Sequence, residues 1–267
     1  MMRASVLDAA GSAFRVTAVE RPKPAPGTVL VRIAASGVNP LDLKIRAGQA
    51  AHARHPLPAI LGIDLAGTIE AIGSGVSAFR ESNEVYGMTG GVGGVQGSLA
   101  EFAAVDAALL APKPSNLPMR EAAALPLILI TAWEGLVDRA QVQAGQKVLI
   151  HGGAGGVGHI AIQLARASGA EVFATGSAAN LAFIEQLGAT PIDYRAMTVE
   201  DYSPNIPAAG ASTSFTTPSA ARRSMHRSAR SAASAMSSVR SAGARMRWPR
   251  CRSAPHPIPE CSPCSRY

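Results

Sequence analysis

The sequence predicts an α/β protein. A barrel-like, β-rich part covers residues 1–118, part of a doubly wound parallel sheet covers 119–202, and residues 203–267 form a disordered tail. Three observations predict this. Short apolar runs punctuated by Pro and Gly fill the first part. From residue 119 the apolar period turns helical between short strands. After Tyr202 the composition shifts to Ser, Ala, Arg and Pro, with no Leu and with Val239 as the single Val.

In the first part, residues 29–34 make an apolar strand with Arg32 facing out and a turn at Gly27 before it. Asp64–Ile72 is a second strand, bounded by Gly62 and by Gly73-Ser74-Gly75. Glu84–Met88 is a short third, and residues 98–105 are a fourth. In the second part, residues 121–124 and 131–138 suit helices. Residues 147–150 form a strand. Val157, Ile160, Ala161, Leu164 and Ala165 then recur at helical spacing until Gly169. Residues 171–175 are the next strand. Leu181, Ile184 and Leu187 mark a second helix stopped by Gly188, and Thr190–Asp193 begins a third strand. Two β-α-β units with short loops imply a parallel sheet with right-handed crossovers.

The 267 residues carry a formal net charge of +7, and where it lies decides its meaning. Residues 1–202 hold 15 Lys and Arg against 17 Asp and Glu. The excess lies wholly beyond them, where 10 Arg face only Glu260. A net-negative body is not expected to bind nucleic acid. Cys251, Cys261 and Cys264 also lie in the last segment, so the body can hold neither a disulfide nor a thiolate metal site. His52, His55, His151 and His159 lack a metal spacing. The apolar run 122–130 contains Pro126 and is too short to span a bilayer. The first ten residues lack the apolar core of a signal peptide. The expected compartment is the cytoplasm, with no membrane partner.

The strongest chemical signal is Gly153-Ala154-Gly155-Gly156-Val157-Gly158, a G-x-G-x-x-G between a strand and an amphipathic helix. In such a loop the first glycine permits the tight turn. The second lets backbone N–H groups approach a pyrophosphate, and the third lets helix and strand pack closely. The helix start favours the anion. The end of the next strand chooses the nucleotide. An Asp or Glu about 20 residues on would hold the ribose 2′-hydroxyl of NAD. This chain has Thr175-Gly176-Ser177-Ala178-Ala179-Asn180, with no carboxylate to repel a 2′-phosphate, which favours NADP(H). Ser177 and Asn180 could instead cap the next helix, a role for which Asn180 is equally suited.

Six segments in order carry a resemblance. They are Gly37-Val38-Asn39-Pro40-Leu41-Asp42, Leu61-Gly62-Ile63-Asp64-Leu65-Ala66-Gly67, Glu84-Val85-Tyr86-Gly87, Gly97-Ser98-Leu99-Ala100-Glu101-Phe102, Thr131-Ala132-Trp133, and the glycine loop with Gln163-Leu164-Ala165. Over residues 1–202 the chain resembles the zinc-independent quinone oxidoreductase branch of the medium-chain dehydrogenase/reductase family. The resemblance implies a GroES-like catalytic domain and a partial Rossmann domain. It also implies NADPH as hydride donor, a quinone or activated enone as acceptor, and a homodimer. Zinc-dependent relatives place Cys where Asn39 stands and His where Ile63 stands. Neither residue can replace those ligands, so zinc Lewis-acid catalysis is not expected.

The resemblance implies that Asn39 and Asp42 border the nicotinamide and substrate. Lys44 would donate to the substrate or touch the nucleotide phosphates. Thr131 would lie near the nicotinamide ribose, and Ser177 and Tyr194 beside the 2′-phosphate. Each has a plain structural role open to it as well. Asn39 before Pro40 suits a turn, Asp42 and Thr131 suit helix caps, and Lys44 suits a solvated surface. Tyr194 could pack at a strand end, and Trp133 belongs in a core. The sequence departs from the family at two places. Ser82-Asn83 replaces the usual Gly-Asp before Glu84, which is expected to loosen a turn, and no basic residue accompanies Asn180.

Residues 203–267 have two readings. Such a segment can stay disordered and bind RNA. It can also be coding sequence read one base out of frame. Shifted by one base, the codons of residues 211–221 admit the string FDIVYDTVGG, and Met225 followed by His226 then forces the Ala that follows in GGATLDASF. A buried strand ending in a Gly-Gly turn is what an alternating α/β domain needs next, and this favours the frameshift. The sheet is then expected to stop after its third strand. Half a nucleotide domain should fold poorly and turn over little. A nucleotide-binding protein without catalysis is the alternative on the same fold.

Overall fold

The computed structural model describes residues 1–198, residue 201 and the backbone of 212–216. The chain divides into two compact units, one covering Met1–Leu127 and one beginning at Ile128. The sequence put this division at 118/119. The difference is α2 (Met119–Ala124), which buries Ala122 and Ala123 beside Ala66 and Tyr86 of the first unit. A Cβ on Gly37 would stand 2.4 Å from the Ala123 carbonyl oxygen, so the close seat of that helix requires glycine there.

The first unit holds two antiparallel sheets. β1 (Met2–Leu7), β2 (Arg15–Val19) and β4 (Ala59–Ile60) make one, in the order β2-β1-β4. β3 (Thr28–Ser36), β5 (Asp64–Ile72), β6 (Glu84–Met88), β7 (Phe102–Asp106) and β8 (Leu110–Pro112) make the other, in the order β7-β3-β5-β6-β8. Val29, Val31, Leu65, Ile69 and Val85 fill the core of this sheet. Burying each such side chain stabilises the fold by about 1.5–3 kcal/mol. α1 (Pro40–Arg46) follows β3 and seats Ile45 against Leu7 and Leu61.

β5 and β6 lie at the expected residues. The strand expected over 98–105 begins only at Phe102. Before it, the Gly97 N–H donates to Ile60 O at 2.8 Å and the Leu99 N–H to Leu61 O at 2.9 Å. That stretch has a different partner from the strand it leads into, which apolar alternation cannot reveal.

A helical run opens at Pro126 as α3 (Pro126–Trp133) and continues as a π-helical turn over Glu134–Arg139. The helix expected at 131–138 is the later part of this run. Pro126 starts it instead of breaking it, because the first N–H of a helix needs no internal partner. β9 (Lys147–His151), α4 (Gly156–Ala167), β10 (Glu171–Gly176), α5 (Leu181–Gln186) and β11 (Thr190–Asp193) lie within a residue or so of their expected places.

β12 (Ser212–Thr216) pairs in parallel with β9, Ser212 opposite Lys147 and Thr216 opposite His151. The sheet order is β11-β10-β9-β12. The expectation that the sheet stops after its third strand is therefore corrected. The ladder is a backbone property, so Ser, Thr and Phe suffice to make it. The disorder expected elsewhere in 203–267 lies outside the described residues.

Candidate functional site

The glycine loop joins β9 to α4. Gly152 takes a left-handed φ of +73°, and its N–H donates to the Thr175 hydroxyl at 3.0 Å. The Gly153 N–H donates to the Thr175 carbonyl oxygen at 2.9 Å, and the Gly155 N–H to Gly152 O at 2.9 Å. These bonds tie the loop to the end of β10.

The glycines divide their work differently from expectation. The tight turn belongs to Gly152, one residue before the motif. Gly153 is required by packing, since a Cβ there would stand 2.7 Å from the Ala174 Cβ. Gly158 takes the expected role, since its Cβ would meet Gly152 O at 2.1 Å. Gly156 is exposed, and a Cβ on it would meet only Ile128 Cγ2, at 3.4 Å. Neither its backbone nor its neighbours demand glycine. It opens α4, whose first N–H groups have no partner inside the helix. Ala154 and Val157 complete the loop, half-buried. Thr131 is on α3, three residues and so about one turn beyond Ile128, on the same face. It is mid-helix and not a cap.

At the end of β10, Ser177 and Asn180 stand at helix-cap positions, yet neither side chain makes a cap bond. The Asn180 amide instead donates to Ser177 Oγ at 3.2 Å. Tyr194 follows β11 with its side chain exposed, and its N–H donates to Gly176 O at 3.3 Å. The second unit thus gathers the loop and Ser177, Asn180 and Tyr194 at the carboxyl ends of its strands.

The first unit gathers Asn39 and Asp42, together with a residue the sequence did not single out, Asp64. Asn39 N-caps α1, and its backbone N–H donates to Asp42 Oδ2 at 2.7 Å. The Asn39 amide donates to Asp64 Oδ2 at 2.9 Å. The Leu127 N–H reaches both Asp64 oxygens, at 3.1 and 3.2 Å. Asp64 therefore anchors the start of α1 and caps the start of α3. Ser98 Oγ donates to the Asp64 carbonyl oxygen at 2.8 Å. Burial pushes the Asp64 carboxyl up to about 7, against the pull of the Asn39 and Leu127 bonds, and the charge of Asp42 adds to the rise. Burial also raises Asp42, whose Oδ1 has no hydrogen-bond partner among the described residues.

Asn39 and Asp42 are 5% and 6% exposed, and both serve the start of α1. Lys44 is half-buried on α1 and forms no ion pair among the described residues. Val38 and Leu43 are exposed nearby in sequence. Ile63 is buried in the core. Among the described residues there is no group of three His, Cys, Asp or Glu that could hold a metal ion. No helix among them is long and apolar enough to cross a membrane. Ser82 takes a left-handed φ of +67°.

Residues 25–115 match the family described as alcohol dehydrogenase GroES-like domain. The chain is 42% identical over 180 residues to a protein of Arabidopsis thaliana named NADPH-dependent alkenal/one oxidoreductase, chloroplastic, covering 65% of this chain and 46% of that protein. The chain thus spans about half the length of the curated relatives it matches. Among solved structures, it is 58% identical to an alcohol dehydrogenase superfamily protein from Novosphingobium aromaticivorans, with a TM-score of 0.79 over 81% of this chain and 66% of that one. It is 33% identical to the quinone oxidoreductase from Coxiella burnetii, with a TM-score of 0.68 over 74% of this chain and 64% of that one.

Proposed function

We propose that this chain, which belongs to the medium-chain dehydrogenase/reductase family, is an NADPH-dependent reductase of activated enones or quinones. One observation carries the reading. The glycine loop leaves β9 where the strand order changes direction, with β10 on one side and β12 on the other. Ligands of doubly wound sheets bind at that point, outside the carboxyl ends of the strands. The unneeded glycine at 156 fits a dinucleotide pressed against the loop. Bound NADPH would supply a hydride to the acceptor.

The chain's own residues have separable tasks. The N–H groups of Gly156 and Val157 hold the pyrophosphate at the start of α4. Thr131 meets the nicotinamide ribose, and Ser177, Asn180 and Tyr194 face the 2′-phosphate. Lys44 donates through Nζ to the acceptor's carbonyl oxygen and stabilises the charge that grows there. Asn39 and Asp42 are too buried to be the main contacts. They position α1, and so Lys44, through Asp64. The exposed Val38 and Leu43 suit an apolar acceptor. The cytoplasm and a homodimeric state belong to the same reading.

We further infer a one-base shift in the reading frame near Tyr202. β12 falls where the shifted frame writes FDIVYDT. Sequencing the gene tests this, and an uninterrupted frame overturns it. The function is tested by following NADPH oxidation with an alkenone and with a quinone, in this chain and in a version with one base restored. The expected result is turnover in both, faster in the restored protein. NADPH binding without turnover in the restored protein would support a non-catalytic nucleotide-binding protein instead.

A further inference from the structure

The candidate 2′-phosphate site lacks a cation on its own strand and turn. From Thr175 to Asn180 there is no Lys or Arg. The neighbouring strand supplies one. β10 and β11 pair in parallel with Gly176 opposite Asp193. The Tyr194 N–H then bonds Gly176 O, so the chain leaving β11 runs beside Ser177. The next residue is Arg195.

Several features mark Arg195 as available. Its guanidinium carbon lies 5.7 Å from the centroid of the Tyr194 ring. It is exposed and has no carboxylate partner among the described residues. The carboxylate nearest in sequence, Asp193, is turned to its own chain and accepts the Arg195 N–H at 2.9 Å. The Tyr194 ring adjoins this cation, and the Ser177 hydroxyl, bonded by the Asn180 amide, follows directly on Gly176 of the paired strand.

We propose that Arg195 is the specificity-determining residue of the nucleotide site, the cation that recognises the 2′-phosphate and sets a preference for NADPH over NADH. The proposal rests on the reading of the glycine loop as a nicotinamide nucleotide site. A guanidinium offers a planar fork of N–H donors to a phosphate dianion, and an aromatic ring beneath it limits the freedom lost on binding. The pairing of strands explains why this cation is about twenty residues from the loop that needs it. Without Arg195 the site keeps hydroxyl and amide donors for a ribose but loses this positive charge.

The test titrates the full chain and its Arg195→Ala and Arg195→Lys variants with NADPH, NADH and 2′,5′-ADP, by calorimetry. The wild-type chain should bind NADPH more tightly than NADH. Arg195→Ala should weaken NADPH and 2′,5′-ADP by about tenfold and leave NADH unchanged. Arg195→Lys should fall between, keeping the charge and losing the fork. The proposal is overturned if Arg195→Ala binds NADPH as the wild type does, or loses NADPH and NADH equally. A wild-type chain that binds both nucleotides equally overturns it too, while leaving the nucleotide site standing. A wild-type chain that binds neither overturns both.

Discussion

The two units build their candidate sites from different materials. In the second unit the site is largely backbone, a loop of glycines tied to the end of β10 and leading into a helix start. In the first unit it is a set of buried side chains, in which one carboxyl, Asp64, holds Asn39 and the start of α3. A backbone site is damaged by added volume. A side-chain site is damaged by a change in charge or proton count. The two should therefore fail in different ways.

The largest effect is expected from added volume. Gly158→Ala places a Cβ about where the Gly152 carbonyl oxygen already sits, and neither is a flexible side-chain end. It should destabilise the second unit by about 3 kcal/mol or more, read as a fall in denaturation midpoint. Gly156→Ala is its control, with near-normal stability and weaker NADPH binding. If both variants are equally stable, the loop is not packed as described.

Charge in the first unit comes next. Lys44→Met should lower kcat for an alkenone about a hundredfold with little change in NADPH affinity. A weakened NADPH affinity at unchanged kcat would move Lys44 to the nucleotide phosphates.

Proton count follows. The Asp64 carboxyl titrates at about 7 in the folded chain, well above the usual value of an unfolded Asp, about 3.9. Between these values the folded state holds the extra proton, so stability is greatest on the acid side and falls as pH rises. The slope is at most about 1.4 kcal/mol per pH unit. Asp64→Asn keeps an acceptor for Leu127 and should flatten that slope in denaturant titrations between about pH 4 and 7. An unchanged slope would assign the pH dependence to another group.

The smallest effect concerns a backbone feature of the first unit. Ser82 holds a left-handed φ that glycine takes without steric cost. Ser82→Gly should raise stability by about 0.5–1 kcal/mol, seen as a higher Tm. A fall would show that the Ser82 side chain contributes more than its conformation costs.

The same contrast governs what the sequence could tell. The glycine loop is contiguous, and its flanking strand and helix are short-range patterns, so β9, α4, β10 and β11 were legible almost to the residue. The Asn39–Asp64–Leu127 cluster joins three distant segments, and nothing local marks Asp64 beyond a carboxylate opening an apolar strand. Arg195 is brought to Ser177 only by strand pairing. β1 and β2 were missed because they are short and hold polar residues such as Arg3 and Thr17. β12 was missed because backbone pairing with β9 does not need the apolar run that marks a buried strand.

The proposed reaction is hydride transfer from NADPH to an activated acceptor. Its most direct test uses NADPH carrying deuterium at the transferable nicotinamide position, an alkenone, and mass spectrometry of the product. The expected product carries one deuterium on the carbon β to the carbonyl. Product without that label, or no product from a chain that binds NADPH, would contradict it.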